Sequence, residues 1–511
     1  MSPESPESPA APASGAPTTP RAGTTPRLAL AVIAASALMA VLDGSIVTVA
    51  MPAIQSRLGF SPAGLSWVVN SYQLAFGGLL LLAGRLGDLL GRKRMFLAGI
   101  ALFLAASAVA GAATSPAMLV AARFAQGVGG AASSAVSLGI LVTLFTEPRE
   151  RAKALGVFAF TGAAGASIGQ VLGGVLTDAL SWHWIFLINI PIGVLTLAAA
   201  VKAIPADRGR GLRAGVDVIG ALLVTGGLML GIYTVIGTAD HGWGSARTLG
   251  LAALSALLIA GFFARQATAA NPLMPLRILR SRGVAGANIV QMLMIAAMFA
   301  FQIMVAQYMQ KVDGYDATET GLAMLPAAVA IGGVALGVSA RLIARFGARS
   351  ILITGLAMLT GALALLLRMP THADYVRDLL PTMLLIAGGG LAMPATAGLG
   401  MAGARDQDAG LVSGLYNTTA QVGAAVGAAV LSTLAAGRTA HLLGAGRTPA
   451  EALSSGYHVA FAIGVVLLAA ALVVAVVVLR RVGTPATPAP PQDPRPAPRR
   501  EGYASAARAG R

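Results

Sequence analysis

The chain has 511 residues, of which 56% are hydrophobic and 11% charged, with a formal net charge of +16 and a mean hydropathy of +0.75. An ordinary soluble domain carries about a quarter charged residues, so a water-soluble fold is excluded. Cysteine is absent, which removes disulfides, thiolate nucleophiles and cysteine metal sites together.

Residues 1–27 are built from Ser, Pro, Ala, Thr and Gly, a composition that stays disordered. From Leu28 almost to Arg480 there follow apolar runs of about 18 residues or more, the length that spans hydrocarbon as a helix. Breaks at Gly, Pro and charge clusters place fourteen spans at 28–51, 64–83, 95–113, 117–140, 153–177, 183–203, 217–237, 248–264, 284–310, 319–340, 350–368, 379–402, 410–435 and 457–479. The first is too long for a signal-peptide core and lacks a convincing cleavage site, so it reads as a mature helix. Residues 482–511 repeat the character of the N-terminal tail with added arginine, and read as a second solvated, disordered tail.

The basic excess marks topology, not nucleic-acid binding. With the N-terminus cytoplasmic, 28 of the 36 Lys and Arg fall in the tails and cytoplasmic loops, seven fall outside and Arg123 lies within a span, which puts both termini inside. Arginine outnumbers lysine 32 to 4, and with abundant Ala, Gly and Pro this suggests high-GC bacterial coding.

An internal repeat appears when residues 83–99 are laid on 339–355: Arg85/Arg341, Leu86/Leu342, Gly91/Gly347 and Gly99/Gly355 coincide at an offset of 256. Such repeats are the trace of transporters built from two similar bundles around a central path. The offset spans eight helices, which divides the chain into a six-helix bundle (28–203), a linker carrying two inserted helices (204–270) and a second six-helix bundle (271–481).

Only Asp43 and Arg123 are ionisable and well away from a span end, and an intramembrane charge is costly enough to be functional by default. Asp43 lies eight residues, about 12 Å, from Met51, and Arg123 six residues, about 9 Å, from Ala117, so the two share a depth as partners or neighbours. Burial favours the neutral acid at Asp43 and a nearby guanidinium favours the carboxylate. A movement that changes their separation therefore binds or releases a proton. The alternative is a static ion pair that holds two helices.

Between spans 2 and 3 runs Gly84-Arg-Leu-Gly-Asp-Leu-Leu-Gly-Arg-Lys-Arg94, where glycines permit a tight turn and Asp88 sits among basic residues including Arg92, Lys93 and Arg94. This string resembles the loop motif of the major facilitator superfamily. Four further segments resemble its fourteen-span drug:proton antiporter family, over roughly residues 30–430. Leu42-Asp-Gly-Ser-Ile-Val-Thr-Val-Ala-Met-Pro52 is similar to LDxTIVNVALP, departing at Ser45, Thr48 and Met51. Arg123-Phe-Ala-Gln-Gly-Val-Gly-Gly130 is similar to the motif whose arginine serves proton relay. Gly156, Gly165, Gly169, Gly173 and Gly174 keep the spacing of the antiporter motif G-x8-G-x3-GP-x2-GG, with Gln170 where proline is expected, and Trp182 to Gly193 resembles the entry to helix 6.

The resemblance implies a major facilitator fold working by alternating access: Asp43 carries the proton, Arg123 tunes it, the Asp88 loop stabilises one conformation, and the glycine stripe of helix 5 forms the interface that rocks. It implies proton-coupled export of antibiotics, dyes or similar lipophilic molecules across the bacterial cytoplasmic membrane, by a chain acting as a monomer. Polar span residues Asn70, Tyr72, Gln73, Gln126, Gln170, Gln302, Asn417 and Gln421, together with Asn189, Gln291, Gln307 and Tyr416, either line a central cavity or bond neighbouring helices. Asp178, Asp217 and Glu319, at span ends, read as solvated topology markers.

Enzyme signals fail in context. Gly165-Ala-Ser-Ile-Gly169 matches G-x-S-x-G but lies inside an apolar helix with no preceding strand, and no lysine completes a P-loop. The histidines at 183, 241, 372, 441 and 458 lack metal-ligand spacing, so no metal or cofactor is expected. Two rival readings stay open: a proton-coupled transporter of one metabolite, and a non-transport membrane sensor or scaffold.

Overall fold

A transmembrane helix satisfies its own backbone hydrogen bonds, so a chain of apolar runs folds as helices packed side by side. The computed structural model describes residues 26–481 except 61, 208, 210, 212–216, 316, 372, 403 and 406–407, and is all-helical, with no strand among the described residues. Apart from residues 26 and 27, which begin the first helix, both tails lie outside the described residues.

The first half runs α1 (Pro26–Leu58), α2 (Pro62–Leu90), α3 (Arg92–Gly111), α4 (Pro116–Leu144), α5 (Pro148–Ala179), and the short α6 (Trp184–Leu187) continued by α7 (Asn189–Ala203). An inserted hairpin follows, α8 (Val218–His241) and α9 (Ala246–Thr268). The second half, entered through α10 (Arg277–Arg280), runs α11 (Arg282–Lys311), α12 (Ala317–Gly337), α13 (Ser339–Phe346), α14 (Ala348–Leu366), a π-helical turn (Tyr375–Leu379) leading into α15 (Leu380–Leu385), α16 (Gly388–Ala402), α17 (Ala409–Gly444) and α18 (Pro449–Val477). Thirteen of these helical stretches among the described residues are long and apolar enough to cross a membrane. The expected fifth span, 153–177, falls in the 32-residue α5, which is not among the thirteen.

Local signals explain the boundaries. Ser115 caps α4 by accepting from the Met118 N–H, with Pro116 at the first turn, and Thr448 with Glu451 forms a capping box on α18. The repeat is visible in the backbone: Gly91 and Gly347 both take positive φ, 103° and 82°, at the starts of α3 and α14. Small residues then let helices approach. A Cβ added at Gly99 would stand 2.7 Å from Gly129 O, and one at Gly355 2.6 Å from Gly388 O, so α3·α4 and α14·α16 cross in the same way in the two halves.

One core cluster lies wholly within the second half, from Ala287 to Leu479. Another runs from Ala29 through the first half to Ala409, Val412 and Tyr416, and so crosses the seam between the halves. The inserted α8 packs on both α2 and α17, with Met229 over Gly78 and Ile232 over Gly77, so the hairpin covers the line where those two helices meet.

Candidate functional site

Helix α1 carries Asp43 into the interior of the first half, and α4 brings Arg123 and Gln126, three residues apart and so on one face. All three are 0% exposed. Arg123 Nη1 donates to Asp43 Oδ2 in a close salt bridge and to Gln126 Oε1 at 3.0 Å. Gln126 Nε2 donates to Asp43 Oδ1 at 3.1 Å and to Ser107 Oγ of α3 at 2.8 Å. Asn189 at the start of α7 donates from Nδ2 to Asp43 Oδ1 at 2.9 Å. Arg123 Nε is spent on Val68 O of α2 at 2.9 Å, and the guanidinium carbon lies 4.6 Å from the Tyr72 ring centroid. Five helices thus meet in one cluster, centred on a carboxylate whose two oxygens both accept from buried donors.

Physics makes this arrangement fragile to single losses. Two ions drawn from water into a dry interior recover their desolvation cost only through close contact and filled hydrogen-bond positions. Here both oxygens of Asp43 are engaged by buried donors, from Arg123, Gln126 and Asn189.

A second charged centre closes one end of the seam. Asp88 accepts from the backbone N–H groups of Gly410 at 2.9 Å and Leu411 at 2.8 Å, and pairs with Arg92 Nε at 3.3 Å. These N–H groups open α17, so the carboxylate sits at a positive helix end belonging to the other half. Gly84 gives α2 the clearance: a Cβ there would stand 2.5 Å from Gly410 O. Elsewhere between the halves Asn417 Nδ2 donates to Ser134 O at 3.2 Å, and Gly156 of α5 packs against Ala335 O of α12.

The linker is tied down beside this latch. Asp207 accepts from the backbone N–H groups of Arg92 at 2.6 Å and Lys93 at 3.1 Å, Lys93 Nζ donates to Val201 O at 2.6 Å, and Arg85 Nη2 donates to Pro272 O at 3.3 Å. Arg277 Nη2 reaches Asp408, the residue before α17, at 2.6 Å. Arg94 is exposed.

The polar residues expected around a cavity separate into groups. Tyr72 and Gln126 belong to the Asp43 cluster, and Asn417 and Gln421 lie at the seam, the latter beside Gly77. Asn70 lines a cavity of about 180 Å³ between α2 and the inserted hairpin, with Trp67, Tyr233 and Arg247. Gln73 and Gln302 are exposed, Gln291 and Tyr416 bond each other at 2.7 Å within the second half, and the side chain of Gln170 lies outside the described residues.

Two expectations need correction. Asp217 is no solvated marker: it is 6% exposed and accepts from the Gly220 N–H, Gln266 and Arg265, capping α8. The glycine stripe of helix 5 is divided, since Gly165 packs on Val41 and Gly169 on Leu42 O and Ser45 of α1 within the same half, while Gly156 reaches the other half and Gly174 meets open space. Gly173 is buried. Sequence reasoning missed Ser107, Asp207, Arg277 and Asp408. Ser107 carries no signal on a small-residue helix, and the other three lie in connecting segments where charges are ordinary. Among the described residues no cluster of His, Asp and Glu is placed to hold a metal.

The family model described as Major Facilitator Superfamily matches residues 33–428. The puromycin resistance protein pur8 of Streptomyces alboniger is 37% identical over 455 residues, covering 87% of this chain and 90% of that protein. The cephamycin export protein CmcT of Amycolatopsis lactamdurans is 40% identical over 456 residues, covering 88% and 92%. Among solved structures, the human organic anion transporter MFSD10 shares the fold with a TM-score of 0.62 at 14% identity, over 88% of this chain and 99% of that one.

Proposed function

The chain belongs to the Major Facilitator Superfamily and is a membrane transporter, not an enzyme, and on that premise we propose that it exports small lipophilic drugs or antibiotics in exchange for protons. The observation that carries the coupling is the dry Asp43–Arg123 pair inside the first half. While the guanidinium and two amides hold Asp43, it stays ionised and the helices stay drawn together. When water reaches the pair, a proton neutralises Asp43, removes the reason for the guanidinium to stay, and frees the cluster to rearrange. Each elementary charge moved across 100 mV contributes about 2.3 kcal/mol, enough to drive export against a modest gradient.

The end sealed by Asp88 carries Arg85, Arg92, Lys93 and Arg94, and this basic cluster supports a cytoplasmic location for that end and for both termini. The described conformation is then closed toward the cytoplasm, and alternating access requires the Asp88 contacts to α17 to open and reform in each cycle. The named export of cephamycin by one relative and puromycin resistance in another support an antibiotic-like cargo. Both halves lie in one chain, so a monomer is the transport unit, in the bacterial cytoplasmic membrane.

The test is accumulation of a panel of antibiotics and lipophilic dyes by inverted membrane vesicles under a proton gradient. Several compounds should accumulate, and a protonophore should abolish it. Accumulation that survives the protonophore refutes antiport, and acceptance of a single polar metabolite refutes the cargo class.

A further inference from the structure

Each amide in the Asp43 cluster has two ends, and only one end of one amide is idle. Gln126 is used at both ends: Oε1 accepts from Arg123 Nη1, and Nε2 donates to Asp43 and Ser107. Inverting it would set its NH2 group against the guanidinium. Asn189 is different. Its Nδ2 donates to Asp43 Oδ1, while its Oδ1 is buried and has no hydrogen-bond partner, although the residue is 0% exposed. A buried acceptor is rarely left unused without reason.

We propose that Asn189 is a positioning residue that reads the proton on Asp43 by inverting its side-chain amide. Nδ2 faces the carboxylate in the conformation described, and Oδ1 turns to accept from the carboxylic acid once a proton has bound. This rests on the reading above that Asp43 carries the coupled proton. The proton arrives from water, forms an O–H bond at Asp43 Oδ1, and no other covalent bond changes. A carboxylic acid has one donor and wants an acceptor, and of the two amides only Asn189 can present one without losing a bond to Arg123.

After inversion Nδ2 occupies the place of the idle Oδ1, and the exchange gives up no bond at that end because Oδ1 accepts none. The orientation of the amide then follows the proton and links the charge state of Asp43 to the contact between α7 and α1. Arg123 on α4 and Tyr72 on α2 are the charged and titratable groups facing Asp43. From the other packed elements it meets Asn189 of α7, and the contact of α5 with α1 next to it is Gly169 against Leu42 O.

The experiment is a pH titration of the purified protein followed by infrared difference spectroscopy, with the protonated-carboxyl band of Asp43 assigned by its loss in Asp43→Asn. Asn189→Leu, which can neither donate nor accept, should move the midpoint of that band to higher pH, because the bond lost to the charged carboxylate outweighs the one lost to the neutral acid. It should also move the band to the frequency of an acid without a hydrogen-bond acceptor. Asn189→Ser, whose hydroxyl can do both, should return midpoint and frequency toward wild type. If the leucine variant does not accumulate, Asn189→Ala is read for the same shift. A band whose frequency is unchanged by loss of the amide, whatever its midpoint, overturns the inference and leaves Asp43 as the proton site. A band that never appears over the accessible pH range overturns both. An amide-dependent band in a protein whose substrates move no protons upholds the inference and removes the coupling.

Discussion

In the first half Gly99 and Gly129 bring α3 and α4 together, and in the second half Gly355 and Gly388 do the same for α14 and α16. Around these matched crossings the chemistry diverges. Phe299 stands 256 residues after Asp43, and Thr382 stands six residues before Gly388 as Arg123 stands six before Gly129. Phe299 is 38% exposed, and Thr382 is buried with its hydroxyl bonded to Leu379 O, so at these positions the second half carries no charge where the first buries an ion pair. Its buried polar contacts include neutral pairs such as Tyr416 with Gln291 and Thr419 with Asn288, and its buried carboxylate Asp408 pairs with Arg277 at the start of α17 and not inside the bundle. The lesson is that duplicated architecture supplies the frame, and on the proposed coupling the first half supplies the proton chemistry.

Breaking that asymmetry at its centre should have the largest effect. Arg123→Leu leaves Asp43 without its cation in a dry site, where it must remain an unpaired ion or take up a proton, and loss of one partner of a buried pair costs about 3–5 kcal/mol. Thermal unfolding of the purified protein should show a lowered Tm, and Asp43→Asn added to Arg123→Leu should recover most of it. If the double variant is no more stable than the single one, the buried charge is not the source of the loss.

The seam ranks next. Gly84→Ala drives a Cβ toward Gly410 O at a point where backbone meets backbone, and overpacking of this kind costs about 1–3 kcal/mol. Crosslinking across the Asp88 end should weaken and efflux should slow. Gly174→Ala, with open space around its Cβ position, is the matched control and should leave both unchanged.

Asp88→Asn sharpens the comparison at the latch. The amide keeps one acceptor for the two N–H groups of α17 and loses the pairing with Arg92, for a loss of about 1–3 kcal/mol in closed-end stability. Fluorescence distances across the seam should shift toward the opened population, with Asp43 titration unmoved. The smallest effect belongs to Arg277→Ala. Its side chain is 41% exposed, so solvent screens its pairing with the buried Asp408, and transport should change by less than in the Asp88 variant at physiological salt.

Much of the frame was legible because membrane helices announce themselves as long apolar runs, and the loop at Asp88 and the repeat at Gly91 and Gly347 could be aligned by eye. Asp43 and Arg123 stood out for the same physical reason: an ion in hydrocarbon is too costly to be incidental. The rest of the cluster was not legible. Asn189 was one of a dozen polar span residues, and nothing in spacing separates it from Gln73, which is exposed. Only the packing of α7 against α1 brings it to Asp43. The division of the α5 glycines was hidden likewise, since regular spacing places Gly165 and Gly169 on a helix face without saying which neighbour that face meets.

The most direct test of the central claim is proton release driven by substrate in proteoliposomes, measured for wild type and Asp43→Asn with substrate binding followed in parallel. The account predicts release in wild type, and in the variant no release with binding retained. Proton release by Asp43→Asn at the wild-type level would contradict it and move the coupling site elsewhere in the chain.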